Sequence, residues 1–255
     1  MADPTHLDNL ALFETTAPGV GAEDFFVTAV RGVEQISTPY AFEIEMRCVV
    51  EGGLAPETID ELLDASAQVG FGPGGTYRIS GVLRELELLG MEVDGEVTYY
   101  RATLVPRFWL TTLTRRSRIF NELALPDIIR KVLGELGLAE GTDFELRLRG
   151  RYPVREYVVQ YEESDFDFLN RWMERLGIFY FFEHEPGGER LVIADDHAEL
   201  LAAPDHPECT WAARADEGLT GHLYELRRLH RKMPAAVQVR DYNWRSPARP
   251  VRGER

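Results

Sequence analysis

The chain is poor in the residues that staple small proteins together or carry them through membranes. Its 255 residues include two cysteines, Cys48 and Cys209, far apart and in no C-x-x-C spacing. That excludes a disulfide framework and argues against a thiolate metal site. No run reaches the roughly eighteen apolar residues of a membrane-spanning helix. The opening Met1-Ala2-Asp3-Pro4-Thr5-His6 has neither a basic n-region nor an apolar h-region, so the expectation is cytoplasmic assembly without a signal peptide. No repeat of about twenty to fifty residues is visible. Positive charge is short as well. The 28 Lys and Arg face 43 Asp and Glu, for a net charge of −15. This speaks against a nucleic-acid binder, which needs a basic surface to neutralise phosphates, and favours proteins as partners.

What is present describes a globular chain. Hydrophobic residues make up 44% and charged residues 28%, which argues against disorder. A chain of this length can bury roughly 70–75% of the surface exposed when unfolded. The charge is uneven. Between Arg227 and Arg255 nine Lys and Arg stand against Asp241 and Glu254. The tail is thus +7 and the remainder −22, so the tail reads either as a docking strip for an acidic neighbour or as a solvated end.

The clearest strand is Tyr40 to Cys48. Tyr40, Phe42, Ile44, Met46 and Cys48 alternate with Ala41, Glu43, Glu45 and Arg47, the pattern of a half-buried antiparallel strand. Asp24–Glu34 reads as its partner, and Tyr77–Leu89 with Glu96–Val105 as a further pair joined by Asp94-Gly95. Three helices are expected. Glu57–Ala65 carries the stripe Ile59, Leu62 and Leu63, and Asp127–Leu136 follows Pro126 and ends at Gly137. The third opens on Ser164-Asp165-Phe166-Asp167, the form of a capping box, and closes at Gly177 with Phe166, Leu169, Met173 and Leu176 on one face. Ile178–His184 and Glu189–Ala194 then read as strands around the turn Pro186-Gly187-Gly188. Strands followed by helices with hairpins predict a β-rich α+β protein. The expected divisions are a β-barrel-like domain over 1–110, an α+β subdomain over 111–196, and a basic segment over 197–255.

Chemical motifs are weak. Glu162, Glu163, Asp165 and Asp167 could serve as paired acids for glycoside hydrolysis, but helix capping accounts for the last two. His184, His197, His206, Asp195, Asp196 and Cys209 could be gathered into a metal site only on paper, for there is no H-E-x-x-H and no second pair at zinc spacing. Phe71-Gly72-Pro73-Gly74-Gly75 lacks the Lys-Ser/Thr of a phosphate loop and reads as a turn. The aromatics Phe179-Tyr180-Phe181-Phe182 suit a strand buried on both faces better than a sugar platform. Trp109 and Trp172 read as core or interface residues. No catalytic, cofactor or metal residue is assigned.

Four blocks are more specific than periodicity. Gly32-Val33-Glu34-Gln35-Ile36-Ser37-Thr38-Pro39-Tyr40-Ala41-Phe42 and Tyr100-Arg101-Ala102-Thr103-Leu104-Val105-Pro106-Arg107-Phe108-Trp109-Leu110 are two of them. The third is Ser117-Arg118-Ile119-Phe120-Asn121, and the fourth Tyr152-Pro153-Val154-Arg155-Glu156-Tyr157-Val158-Val159-Gln160-Tyr161-Glu162-Glu163-Ser164-Asp165. In order and spacing they resemble the N-terminal hub part of VgrG-type spike proteins of the type VI secretion system. A weaker likeness continues at Val239-Arg240-Asp241-Tyr242-Asn243.

The resemblance implies phage-tail-hub-like small β-barrels with an α+β subdomain and three copies in a pseudo-sixfold ring. It also implies a non-catalytic role joining a hexameric Hcp-type tube to a trimeric spike, with baseplate proteins as neighbours and export by the machine itself. The OB-fold, β-helix needle, PAAR tip or effector expected beyond this region are not in the sequence. The basic segment therefore reads as the start of a second barrel. The expected internal packing and hydrogen-bonding residues are Tyr157, Gln160, Tyr161 and Arg171. Alternatives are the hub of a contractile phage tail or extracellular injection system, or a cell-wall hydrolase using the acidic cluster.

Overall fold

The computed structural model describes residues 11–71, 77–93, 95–185 and 187–201, and nearer the C-terminus 228, 230, 232, 234–236, 238–242 and 244–254. Residues Met1–Glu208 form one compact unit and Cys209–Arg255 another.

The first part of the larger unit is a six-stranded antiparallel sheet. Its strands are β1 (Leu12–Thr15), β2 (Phe25–Gln35), β3 (Thr38–Cys48), β4 (Ser66–Phe71), β5 (Tyr77–Met91) and β6 (Thr98–Val105), in the order β1-β4-β5-β6-β3-β2. The alternating run from Tyr40 points inward as its pattern requires, with Tyr40, Phe42, Ile44, Met46 and Cys48 all buried. The sheet curls until its two edge strands meet. Phe13 on β1 and Phe25 on β2 touch edge to face, with centroids 5.2 Å apart, so aromatic packing closes what backbone hydrogen bonds leave open. Helix α1 (Pro56–Asp64) buries Leu62 in this core, with Ile59 and Leu63 packed beside it. Gly81 on β5 permits the close pairing with β6, for a Cβ there would lie 2.1 Å from the Val105 carbonyl oxygen.

The second part follows a 3-10 helix, Arg107–Thr112. It comprises β7 (Arg115–Leu123), α2 (Leu125–Glu135), β8 (Phe144–Arg147), β9 (Arg155–Ser164), α3 (Asp165–Leu176), β10 (Phe179–Glu185), β11 (Gly188–Ala194) and the short α4 (Ala198–Leu201). Strands β7 and β9 pair antiparallel, and β10-β11-β8 make a mixed sheet in which β11 and β8 run parallel. The expected cap of α3 is present: the Ser164 hydroxyl accepts the Asp167 N–H at 2.9 Å, and Gly177 ends the helix at φ 71°. The buried face is broader than Leu169 and Met173 alone, because Phe168 and Trp172 also turn inward, while Phe166 is only partly buried. Phe120 stacks on Phe168 at 5.4 Å.

The turn between β2 and β3 ties the two cores together. Ser37, in the left-handed region at φ 57°, donates its N–H to the Tyr180 carbonyl at 2.8 Å. Phe182 packs against both cores and meets Tyr40 edge to face at 5.0 Å. On β10 only Tyr180 is fully buried; Phe179, Phe181 and Phe182 are half-buried. The smaller unit contains an antiparallel hairpin, β12 (Gln238–Asp241) with β13 (Val251–Glu254), where the sequence showed little pattern. Asp94, Pro186, His206, Cys209 and the glycine-rich 72–75 lie outside the described residues.

Candidate functional site

The polar residues of the third and fourth sequence blocks converge on one point. Arg118 on β7 stands opposite Gln160 on β9 in the ladder. Arg118 Nε donates to Gln160 Oε1 at 2.7 Å and Nη2 to Asp165 Oδ1 at 2.8 Å. Gln160 Nε2 donates to the same Asp165 oxygen at 2.8 Å and to the Glu163 carbonyl at 3.2 Å. Arg116 approaches Asp165 Oδ2 at 3.3 Å. Gln160 is 0% and Asp165 4% exposed. Buried polar groups are tolerable only when satisfied, and here each completes another.

This network absorbs the acidic cluster. Asp165 is committed to two guanidinium groups, and Glu163 is held by Arg171 at 2.5 Å. Asp167 receives the Ser164 hydroxyl at 2.7 Å as part of the helix cap. Glu162 sits in a left-handed bulge at φ 46°, its N–H donating to Ser117 Oγ at 3.1 Å. The four acids thus serve ion pairing, capping and a bulge rather than facing one another across a substrate.

The histidine and aspartate candidates are likewise dispersed. His184 Nδ1 accepts the Ser80 N–H at 3.3 Å and Nε2 lies 3.0 Å from Glu34. His197 stacks on Phe179 at 5.4 Å. Asp195 receives the N–H groups of Arg149 and Gly150 and the hydroxyl of Tyr152, at 2.9, 2.7 and 2.7 Å. Burial pushes the Asp195 pKa up, but these donors outweigh it and hold the carboxyl below its ordinary value. Asp196 pairs with Arg149 at 2.6 Å. Among the described residues no three His, Cys, Asp or Glu gather as a metal site.

Two of the four expected packing residues face the other way. Gln160 and Arg171 hydrogen-bond as expected, Arg171 also reaching the Val159 carbonyl at 3.3 Å. Tyr157 and Tyr161, however, are 62% and 70% exposed. Phe120, Val158 and Gln160 turn toward the helices, so side chains one position away must point outward. Ile119, Val159, Tyr157 and Tyr161 therefore form a bare face on the β7–β9 pair, where an antiparallel sheet normally presents polar groups to water. Exposed apolar faces of this kind mark contact surfaces, and tyrosine is enriched at them.

Comparison with known proteins agrees with this architecture. Residues 33–255 match the family model described as phage tail baseplate hub (GPD). The type VI secretion system spike protein VgrG1b of Pseudomonas aeruginosa is 30% identical over 231 residues, covering 89% of this chain and 30% of that protein. VgrG5 of the same organism is 35% identical over 232 residues, covering 88% of this chain and 28% of that one. The chain therefore spans less than a third of the length of either relative. A solved E. coli component of the type VI secretion system, described as structurally similar to the T4 bacteriophage tail proteins gp27 and gp5, superposes with a TM-score of 0.58 at 27% identity. That superposition covers 68% of this chain and 49% of the E. coli one. With its curled β-sheet, its α+β second core and a family match over most of its length, this chain belongs to the phage tail baseplate hub (GPD) family.

Proposed function

We propose that this chain is the hub platform of a type VI secretion spike, a non-catalytic part that joins a hexameric tube to a trimeric spike. The observation that carries the reading is the hub-family match over residues 33–255, and the spike-protein relatives point it toward type VI secretion. The first core, over about residues 1–110, supplies the barrel-like part. The second, over about 111–196, buttresses it, and 197–255 begins a further segment. Three copies close a ring, since cyclic closure removes unpartnered surfaces that would otherwise aggregate. Assembly takes place in the cytoplasm and export follows through the machine, alongside baseplate proteins.

The bare β7–β9 face supports a role in assembly, because it offers a contact surface and no substrate-shaped arrangement of acids. Light scattering tests the reading. A trimer of about 87 kDa, three times the 29.0 kDa chain, is the expected closed cyclic species. Co-purification with an Hcp-type tube protein should follow. A chain that remains monomeric at high concentration and binds no tube protein would defeat the proposal.

A further inference from the structure

A cleft of about 450 Å³ opens in the larger unit between β4 and β5 of the six-stranded sheet and the start of β11. Glu14, Gln68, Ser80, Arg107, Glu189 and Arg190 stand in its wall. Hub assembly as proposed above makes no use of it. Its volume lies within the roughly 300–1,000 Å³ of small-ligand sites.

The charges around the cleft are unequally matched. The Arg107 guanidinium is taken by Asp143 at 2.6 Å, and Arg190 by Glu183 and Glu185. Glu189 receives the Arg107 backbone N–H at 2.8 Å, and Glu14 the side-chain amide of Gln68. Among the described residues no ion pair reaches either carboxylate. Burial raises the Glu189 pKa, against the smaller lowering effects of the Arg107 and Glu189 N–H groups and of the more distant Arg107 and His184 charges. Ser80 is 4% exposed, and its hydroxyl has no hydrogen-bond partner; neither has the buried Nε of Arg190. A desolvated carboxylate without a close ion pair and buried polar atoms without partners all cost stability. Groups of this kind call for an explanation, and in the wall of an open cleft a ligand that completes them is one.

The missing partners define the ligand. Two carboxylates call for positive charge with several N–H donors, which a planar guanidinium supplies. The unpartnered Arg190 Nε calls for an acceptor, which a peptide carbonyl supplies. We propose that this cleft receives an arginine side chain presented by a peptide segment of another protein, with Glu189 and Glu14 as its counter-ions.

Calorimetric titration of the full chain with the blocked peptide acetyl-Gly-Arg-Gly-amide tests this. Parallel titrations use the same peptide with lysine or citrulline at the centre, and agmatine as a free guanidinium. Saturable binding of one arginine peptide per chain is expected, weakened at least tenfold by citrulline and several-fold by lysine. Agmatine should bind more weakly than the peptide, because it brings no carbonyl. Glu189→Gln keeps an acceptor for the Arg107 N–H, so it should leave the melting temperature unchanged or higher while reducing affinity at least tenfold. Glu14→Gln, on a different strand, should weaken binding independently. Equal binding of the citrulline peptide, no heat up to millimolar arginine peptide, or unchanged affinity in folded Glu189→Gln and Glu14→Gln would each overturn the proposal. Agmatine matching the peptide would overturn the peptide as its source.

Discussion

Arg118 and Asp165, 47 residues apart in the chain, meet at 2.8 Å beneath the β7–β9 pair. Their side chains are 18% and 6% exposed, so neither can turn to water if the other is lost. Arg118→Met should therefore cost about 3 kcal/mol in urea denaturation, as expected for breaking a buried ion pair from one side. Arg118→Lys should restore little, because an ammonium cannot bridge Gln160 and Asp165 as the guanidinium does. Arg118→Met combined with Asp165→Leu should recover much of the loss, since no buried carboxylate is then left with only the more exposed Arg116 beside it. A double variant as unstable as the single losses added together would contradict this account.

Ser37 holds the turn that joins the two cores at a positive φ. Ser37→Val should destabilise the fold by about 1–3 kcal/mol, the range for forcing a β-branched residue into the left-handed region. Ser37→Gly keeps the backbone bond to Tyr180 and should cost less than about 1 kcal/mol. Chemical denaturation distinguishes the two, and equal effects would mean that the turn conformation is not what matters.

The Phe13–Phe25 contact closes the curled sheet, so Phe13→Ala should cost about 3–5 kcal/mol. Its neighbour Leu12 points outward, and Leu12→Ala should fall within about 0.5 kcal/mol of the parent. Hydrogen exchange should show β1 and β4 losing protection in Phe13→Ala while β3 and β6 keep theirs.

Two carboxylates shift stability with pH in opposite directions. Glu189 has its folded pKa raised, so the folded state favours its protonated form. Its contribution is fully present below the ordinary glutamate value and is lost as pH rises through the folded value. Glu189→Gln should therefore be more stable than the parent at neutral pH, with the gain fading in acid. Asp195 has its folded pKa lowered by its three donors, so its contribution holds above the ordinary aspartate value and is lost as pH falls through the folded one. Asp195→Asn should be destabilised at neutral pH and should converge on the parent in acid. Melting temperatures across the pH range measure both.

Part of this molecule was legible in the sequence because some segments obey one rule at a time. Tyr40–Cys48 has one apolar and one polar face, and burial follows directly from that alternation. Ser164 and Gly177 mark the ends of α3 through local chemistry that needs no distant partner. Strands β7 and β9 give no such signal. Arg118 and Gln160 occupy their inward face, where a pattern expects apolar residues, and Ile119, Tyr157, Val159 and Tyr161 occupy the outward one. Alternation then still separates two faces but cannot say which one is covered. That is why Tyr157 and Tyr161 belong on the surface and not inside.

The amino-acid sequence alone determined β3, the three longer helices, the caps of α3 and the membership blocks, since each is written in a short stretch of neighbouring residues. Only the tertiary structure decided the order β1-β4-β5-β6-β3-β2, the closure of Phe13 on Phe25, the meeting of Arg118 with Asp165 and the cleft around Glu189. Each of these joins side chains far apart in the chain. Their energies come from burial and pairing, which exist only once the sheet has curled and the two cores have packed.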